Sequence, residues 1–106
     1  MNPHELQRCL RKTHRIDGWF TDEAACLFAM LDEIQKEQGM AGNIFEIGVH
    51  HGKSTVLLAA MIRPPGERLL VCDLFGDQAA NTSLSGRGDY QIFMAHLKPI
   101  RSEILS

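Results

Sequence analysis

The residues best suited to chemistry lie between Glu46 and Asp73. The run Glu46-Ile47-Gly48-Val49-His50-His51-Gly52-Lys53-Ser54-Thr55 places two glycines around a short loop and hydroxyl residues just beyond it. Glycines let a backbone turn sharply and approach a ligand closely, because no Cβ intervenes. A helix starting near Lys53 would point free N–H groups into the same space. Asp73 follows Glu46 by 27 residues, at the end of the next apolar segment. A carboxylate there can accept hydrogen bonds from both hydroxyls of a ribose. Together these residues have the makings of a nucleotide-cofactor half-site.

Three cofactor chemistries compete for it. Gly52-Lys53-Ser54-Thr55 suggests a P-loop, but that motif needs the longer spacer Gly-x-x-x-x-Gly. Gly48 and Gly52 enclose only Val49, His50 and His51, so the cradle is one residue short. A dinucleotide loop, Gly-x-Gly-x-x-Gly, needs glycine at position 50, where this chain has His50; a side chain there spoils the close approach to a pyrophosphate. S-adenosyl-L-methionine carries no phosphates, so fewer glycines suffice. An acid at the end of the first strand, Glu46, suits its cationic methionyl part.

The same segment resembles the class I S-adenosylmethionine-dependent methyltransferases. It looks closest to the group with a Glu-Ile-Gly-x-x-x-Gly-x-Ser-Thr first motif and an Asp-x-Phe second motif, here Glu46 to Thr55 and Asp73-Leu74-Phe75. Ile16-Asp17-Gly18-Trp19-Phe20 and the helix after it are similar to that group's N-terminal lead-in. The likeness runs from about residue 16 to 98, and departs at His50, where many members have glycine. It implies that Glu46 holds the methionine ammonium, that Gly48 and Gly52 line the cofactor, that Ser54 caps the helix or contacts the methionine carboxylate, and that Asp73, with Leu74 beside it, holds the ribose. It also implies methyl transfer, with a small-molecule acceptor expected and no catalytic residue identified. His51, beside the cofactor loop and of a residue type suited to proton transfer, is separately a candidate general base. A loop histidine without a chemical role is the competing reading of His51.

Other residues invite interpretation. His50-His51 suggests a metal pair, but neighbours in sequence are expected to project in different directions and no Cys, Asp or Glu nearby completes a ligand set, so no metal is expected. Arg87-Gly88-Asp89 spells an adhesion tripeptide at a position where a turn and a helix cap are expected. Trp19 and Phe20 are expected in the core or as a lid. Cys9, Cys26 and Cys72 are too few and too scattered for a disulfide framework or a zinc site. They are expected to be reduced and buried, Cys72 as an inert thiol in a strand.

The elements that must position the motif follow from periodicity and punctuation. Residues 4–14 read as a polar helix with Leu6 and Leu10 on one face. Thr21 is an N-cap, with Asp22 and Glu23 favoured by the helix dipole. Ala24, Leu27, Phe28, Leu31 and Ile34 then recur at helical spacing, and Gly39 or Gly42 ends the helix. Asn43 to Ile47 reads as a strand. Residues 53–62 are apolar on nearly every side, as in a helix buried against a sheet, and Pro64-Pro65-Gly66 stops it. Arg68 to Cys72 is a second strand. Strand, helix and strand at this spacing predict a right-handed parallel βαβ unit. Residues 75–88 read as a loop, Asp89 as the cap of a helix closed by Pro99, and Ile100 to Ser106 as the start of a third strand.

The expected fold is therefore α/β: residues 1–40 form a helical lead-in, and 41–106 form the first half of a Rossmann-like cofactor-binding domain. Its parallel sheet has two to three strands, against about five or more in complete doubly wound sheets. A truncated enzyme, or a non-catalytic remnant that only binds cofactor, is expected. A half sheet should expose an open edge and an apolar face, predicting self-association or marginal stability. The bulk numbers agree with one ordinary globular unit of 106 residues, 44% hydrophobic and 23% charged. The net charge of −2 gives no pull toward nucleic acid or an anionic membrane. No run of about 18 apolar residues suggests a membrane span. The N-terminus lacks the order of a signal peptide, so a cytoplasmic location is expected.

Overall fold

A computed structural model describes residues 1–76, 89–98 and 104–105. The chain is a mixed α/β structure: α1 (Pro3–Thr13), α2 (Asp22–Glu37), β1 (Ile44–Ile47), α3 (Lys53–Met61), β2 (Leu69–Cys72), α4 (Asp89–Leu97) and a two-residue β3 (Ile104–Leu105). The strands are parallel in the order β1-β2-β3, with Ile44 opposite Leu69 and Ile47 opposite Cys72. The expected loop lies mostly outside the described residues, as do Pro99, most of the expected third strand, and Arg87 and Gly88 of the adhesion tripeptide.

Local chemistry explains where the first helices begin. Asn2 caps α1, its Oδ1 accepting from the Glu5 amide at 2.9 Å, and Pro3 occupies the first turn, where its missing N–H costs nothing. The Thr21 hydroxyl oxygen caps α2 by accepting from the Ala24 amide at 3.1 Å. In β1 and β2, paired residues alternate between the two faces of the sheet. Ile44, Glu46, Leu69 and Val71 turn toward the helices. Thr55, Val56, Leu57, Leu58 and Met61 of α3 are buried, and α1 and α2 both pack on that helix. This burial accounts for a helix that is apolar all round.

Two expectations about burial are corrected. First, α2 turns its small residues inward: Ala25, Ala29 and Asp32 are buried, while Leu27, Leu31 and Ile34 are 55%, 52% and 42% exposed. Small residues let helix backbones approach closely, so the large apolar stripe is left outside. Second, Cys72 is exposed, as is Cys26; only Cys9 is buried. Cys72 lies opposite Ile47, on the sheet face that the helices leave uncovered. Phe45 and Ile47 on that face are 62% and 74% exposed. The expected uncovered apolar face is present.

Glu67 ties the far ends of the strands together. Its carboxylate accepts two hydrogen bonds from the Arg63 guanidinium at 3.0 Å and one each from the Arg63 and Gly42 amides at 2.9 Å. The guanidinium and then the Gly42 amide hold its pKa well below the ordinary 4.5, at about 2. A depressed carboxylate contributes stability that is complete above the unfolded-state value and lost as pH falls through the folded one. Unfolding titrations should therefore show stability dropping between pH about 4.5 and about 2. Glu67→Gln should flatten that part of the profile, and an unchanged profile in the variant would rule out this clamp.

Candidate functional site

The loop between β1 and α3 is built from left-handed backbone. Gly48 and Gly52 have φ of +80° and +92°, and His50 between them has +49°. Glycine adopts this region freely, whereas a side chain there costs about 1–2 kcal/mol. The Gly48 amide donates to the Cys72 carbonyl at 2.8 Å, carrying the β1–β2 ladder one step past the strand. That step brings the loop against the tip of β2.

Asp73 holds it there. Its Oδ2 accepts from the Val49 amide at 2.6 Å and the His50 amide at 3.1 Å, and its Oδ1 accepts from the Phe75 amide at 2.7 Å. Phe75, at φ +51°, is the other left-handed residue besides glycine among the described residues. Burial pushes the Asp73 carboxyl up, but the amides of Phe75, His50 and Val49 outweigh it, and the net shift is downward. Leu74 beside it is 59% exposed.

Glu46 faces the first turn of α3. Thr55 donates its hydroxyl to Oε1 at 2.6 Å, and the Ser54 hydroxyl donates to Oε2. Ser54 therefore binds Glu46 and does not cap its own helix. The cap position is Gly52, which has no side chain to offer, so the first-turn amides of α3 have no side-chain acceptor. A carboxylate has about four acceptor positions. Glu46 and Asp73 both keep capacity for further donors.

The histidines depart from expectation. Their rings do not project apart: His50 and His51 stack with centroids 3.8 Å apart and planes 14° from parallel. An acid also stands close by. Asp89, at the start of α4, has Oδ1 2.7 Å from His51 Nε2, an arrangement that holds this nitrogen as the donor. The His96 Nδ1–H donates to the His51 carbonyl at 2.8 Å. Ligand-type atoms of His50, His51 and Asp89 lie within 4.8 Å of one another. A metal must lie close to the plane of each imidazole, about 2.1 Å from nitrogen. Nearly parallel rings do not converge on one such point. As placed, the cluster is a stacked histidine pair anchored by an acid.

Two cavities border these residues and the clamp. One, of about 230 Å³, opens between the Gly18–Phe20 segment and the loop, with Lys53 and Ser54 at its base. Trp19 stands at its side, 85% exposed and 5.1 Å from the His50 ring, so Trp19 is a surface residue rather than core. Phe20 is partly buried against Phe28. The other cavity, of about 350 Å³, lies beyond the opposite ends of the strands, beside Asp32, Lys36, Arg63 and Glu67. Its charges are already paired, Lys36 to Asp32 and Arg63 to Glu67. Ligands of open parallel sheets sit at the carboxyl ends of strands, which favours the smaller cavity.

Sequence reasoning named Glu46, Gly48, Gly52, Ser54, Asp73 and Leu74, and the structure gathers them around one loop. It missed Thr55 as the second donor to Glu46, although Thr55 stood in the motif. It also missed Asp89 and His96, which chain separation hides. Comparison with protein-family models and with curated proteins finds no match.

Gly52 is the position least tolerant of a side chain. A Cβ there would lie 3.2 Å from Phe93 and 3.5 Å from Leu97, on a backbone with φ +92°. Gly52→Ala should lower stability by about 1–2 kcal/mol in urea unfolding, from backbone strain alone. Gly66→Ala, where a Cβ meets nothing within 4 Å, should change it by less than about 0.5 kcal/mol. Equal effects of the two variants would refute the left-handed backbone assigned to Gly52.

Proposed function

We propose that the loop and Asp73 form the cofactor half-site of a Rossmann-like, S-adenosylmethionine-dependent methyltransferase acting on a small-molecule acceptor in the cytoplasm. The observation that carries this reading is the placement of Asp73, at the carboxyl end of β2 and hydrogen-bonded to the glycine-flanked loop at the carboxyl end of β1. Two adjacent parallel strands thus end at one crevice, with a carboxylate on the second and uncapped helix amides on the first. The short loop and His50 disfavour a pyrophosphate or triphosphate in the same place.

The sulfonium of the cofactor supplies a good leaving group for methyl transfer. The protein's part is binding, alignment and exclusion of water. Asp73 offers its remaining acceptor positions to the ribose hydroxyls. Glu46, in β1 just before the loop and facing the first turn of α3, offers a carboxylate that favours a cationic amino group. Calorimetric titration of the folded chain with S-adenosylmethionine, or with S-adenosylhomocysteine, should show binding. Asp73→Ala should weaken it at least about tenfold, the scale of losing a charge-assisted hydrogen bond. Binding of ATP or NAD in preference to both compounds, or no binding by a folded chain, would defeat the reading.

A binding-only module is the second reading, favoured by the uncovered apolar face of Phe45 and Ile47 beside the loop. On either reading we propose that this face and the β1 edge drive self-association. Sedimentation should reveal concentration-dependent assembly that Phe45→Lys with Ile47→Lys suppresses. A monomer at every concentration in the original chain would contradict it.

A further inference from the structure

We propose that the outward face of α1, with Trp19 beyond its end, binds single-stranded nucleic acid through the phosphates and stacks one base on the indole. The proposal is independent of the cofactor reading, and either can fail alone.

Charge is divided unevenly along the chain. Residues 1–15 carry four of the eleven lysines and arginines and a single acid, Glu5. Residues 16–106 hold the other seven cations and twelve acids. The net charge of −2 therefore conceals a basic end. A helix turns about 100° per residue, so His4, Arg8, Arg11 and Lys12 fall within an arc of about 100° on α1. All four are exposed. Arg15, also exposed, follows in a turn where its amide donates to the Lys12 carbonyl at 3.1 Å. Arg8, Arg11, Lys12 and Arg15 make no ion pair among the described residues. Glu5, at the edge of the arc, accepts from the Asn2 side chain at 3.0 Å. Like charges three and four residues apart repel one another, so this face gains from a polyanion laid across it.

The kind of polyanion follows from what surrounds the charges. Three of the four unpaired cations are arginines, whose planar guanidinium meets phosphate oxygens in pairs. A helix that lies on a membrane sinks its apolar side into the lipid. In α1 that side is committed to the core: Cys9 and Thr13 are buried, and Leu6 and Leu10 pack against the buried cluster. The basic face offers no apolar side chain in its place. A duplex groove takes a helix that projects, whereas α1 is packed along α2 and α3 and shows one flank. Trp19 favours a single strand. It is 85% exposed and stands four residues past Arg15, about 14 Å of chain at full stretch. Its one ring contact among the described residues is with His50, tilted by 53°, which leaves the indole open to a base. Cations along a track and an exposed aromatic beside it are the two parts that single-strand binding combines.

The test is fluorescence anisotropy of a labelled oligouridine of about 12 nucleotides, titrated with the full chain over a range of salt. Binding should weaken with salt at a log–log slope of about −2.8, for four cations at about 0.7 each. Arg8→Gln with Arg11→Gln should halve that slope, and Arg8→Glu with Arg11→Glu should cost at least about tenfold in affinity. Trp19→Leu should cost about tenfold and leave the slope unchanged, because stacking releases no counterions. Arg68→Gln, at an exposed arginine on another part of the surface, should change neither. Circular dichroism checks that each variant is folded. No binding at low salt, or an equal loss in Arg68→Gln and the α1 variants, would overturn the proposal. Equal affinity for duplex would remove the stacked base and with it the single-strand preference. Tighter attachment to phosphatidylserine vesicles, or displacement of the oligonucleotide by polyglutamate at equal charge concentration, would reassign the face to a membrane or to an acidic protein.

Discussion

The loop after β1 has the shape it has because a carboxylate on the neighbouring strand holds it. Three of its five residues, Gly48, His50 and Gly52, sit in left-handed backbone. Such a path leaves amide groups pointing inward with no helix or strand to receive them. Asp73 receives two of them and the Phe75 amide besides. The interaction depends on register, because only with Ile47 opposite Cys72 does Asp73 come level with the residues that follow Gly48. A slip of one residue would turn Asp73 to the other face of the sheet and release the loop.

Everything around the loop is keyed to that arrangement. Its last residue, Gly52, opens α3 and carries no Cβ, so Phe93 and Leu97 of α4 can close over it. The same helix begins at Asp89, which receives His51, and ends near His96, which donates to the His51 carbonyl. On the other side Glu46 gathers the hydroxyls of Ser54 and Thr55. The strand, the loop and two helices are therefore joined by polar contacts to side chains within a single turn of chain. Packing of α3 against α1 and the sheet supplies the apolar burial that makes these contacts affordable. Leu57 of α3 and Leu69 of β2 are both wholly buried.

On the opposite face the balance is different. Phe45 and Ile47 face outward, and the large side chains of α2 do the same. Burying apolar surface gains roughly 25 cal/mol per Å², so a face of this kind is a standing drive toward contact with something apolar. The polar loop and the apolar face meet at the end of β1, because strand alternation sends Glu46 toward the helices and its neighbours Phe45 and Ile47 the other way. Among the described residues, no helix is long and apolar enough to cross a membrane.

Much of this was legible in the linear chain. Alternation and helical spacing located the strand–helix–strand unit within a residue or two. The turn glycines and the acid at position 73 marked the site, since both are demands of local backbone geometry or strand ends. The sequence by itself determined which residues could turn, cap and accept. It did not determine partners. The burial of Ala25 and Ala29 in place of Leu27 and Leu31, the exposure of Cys72 and the capture of His51 by Asp89 were decided by the tertiary structure. So was the commitment of Asp73 to loop amides and of Ser54 to Glu46. Periodicity reports which face of an element is apolar. Which face is covered, and which distant group satisfies a polar atom, depends on how the elements pack, and that information lies in contacts between residues far apart in the chain.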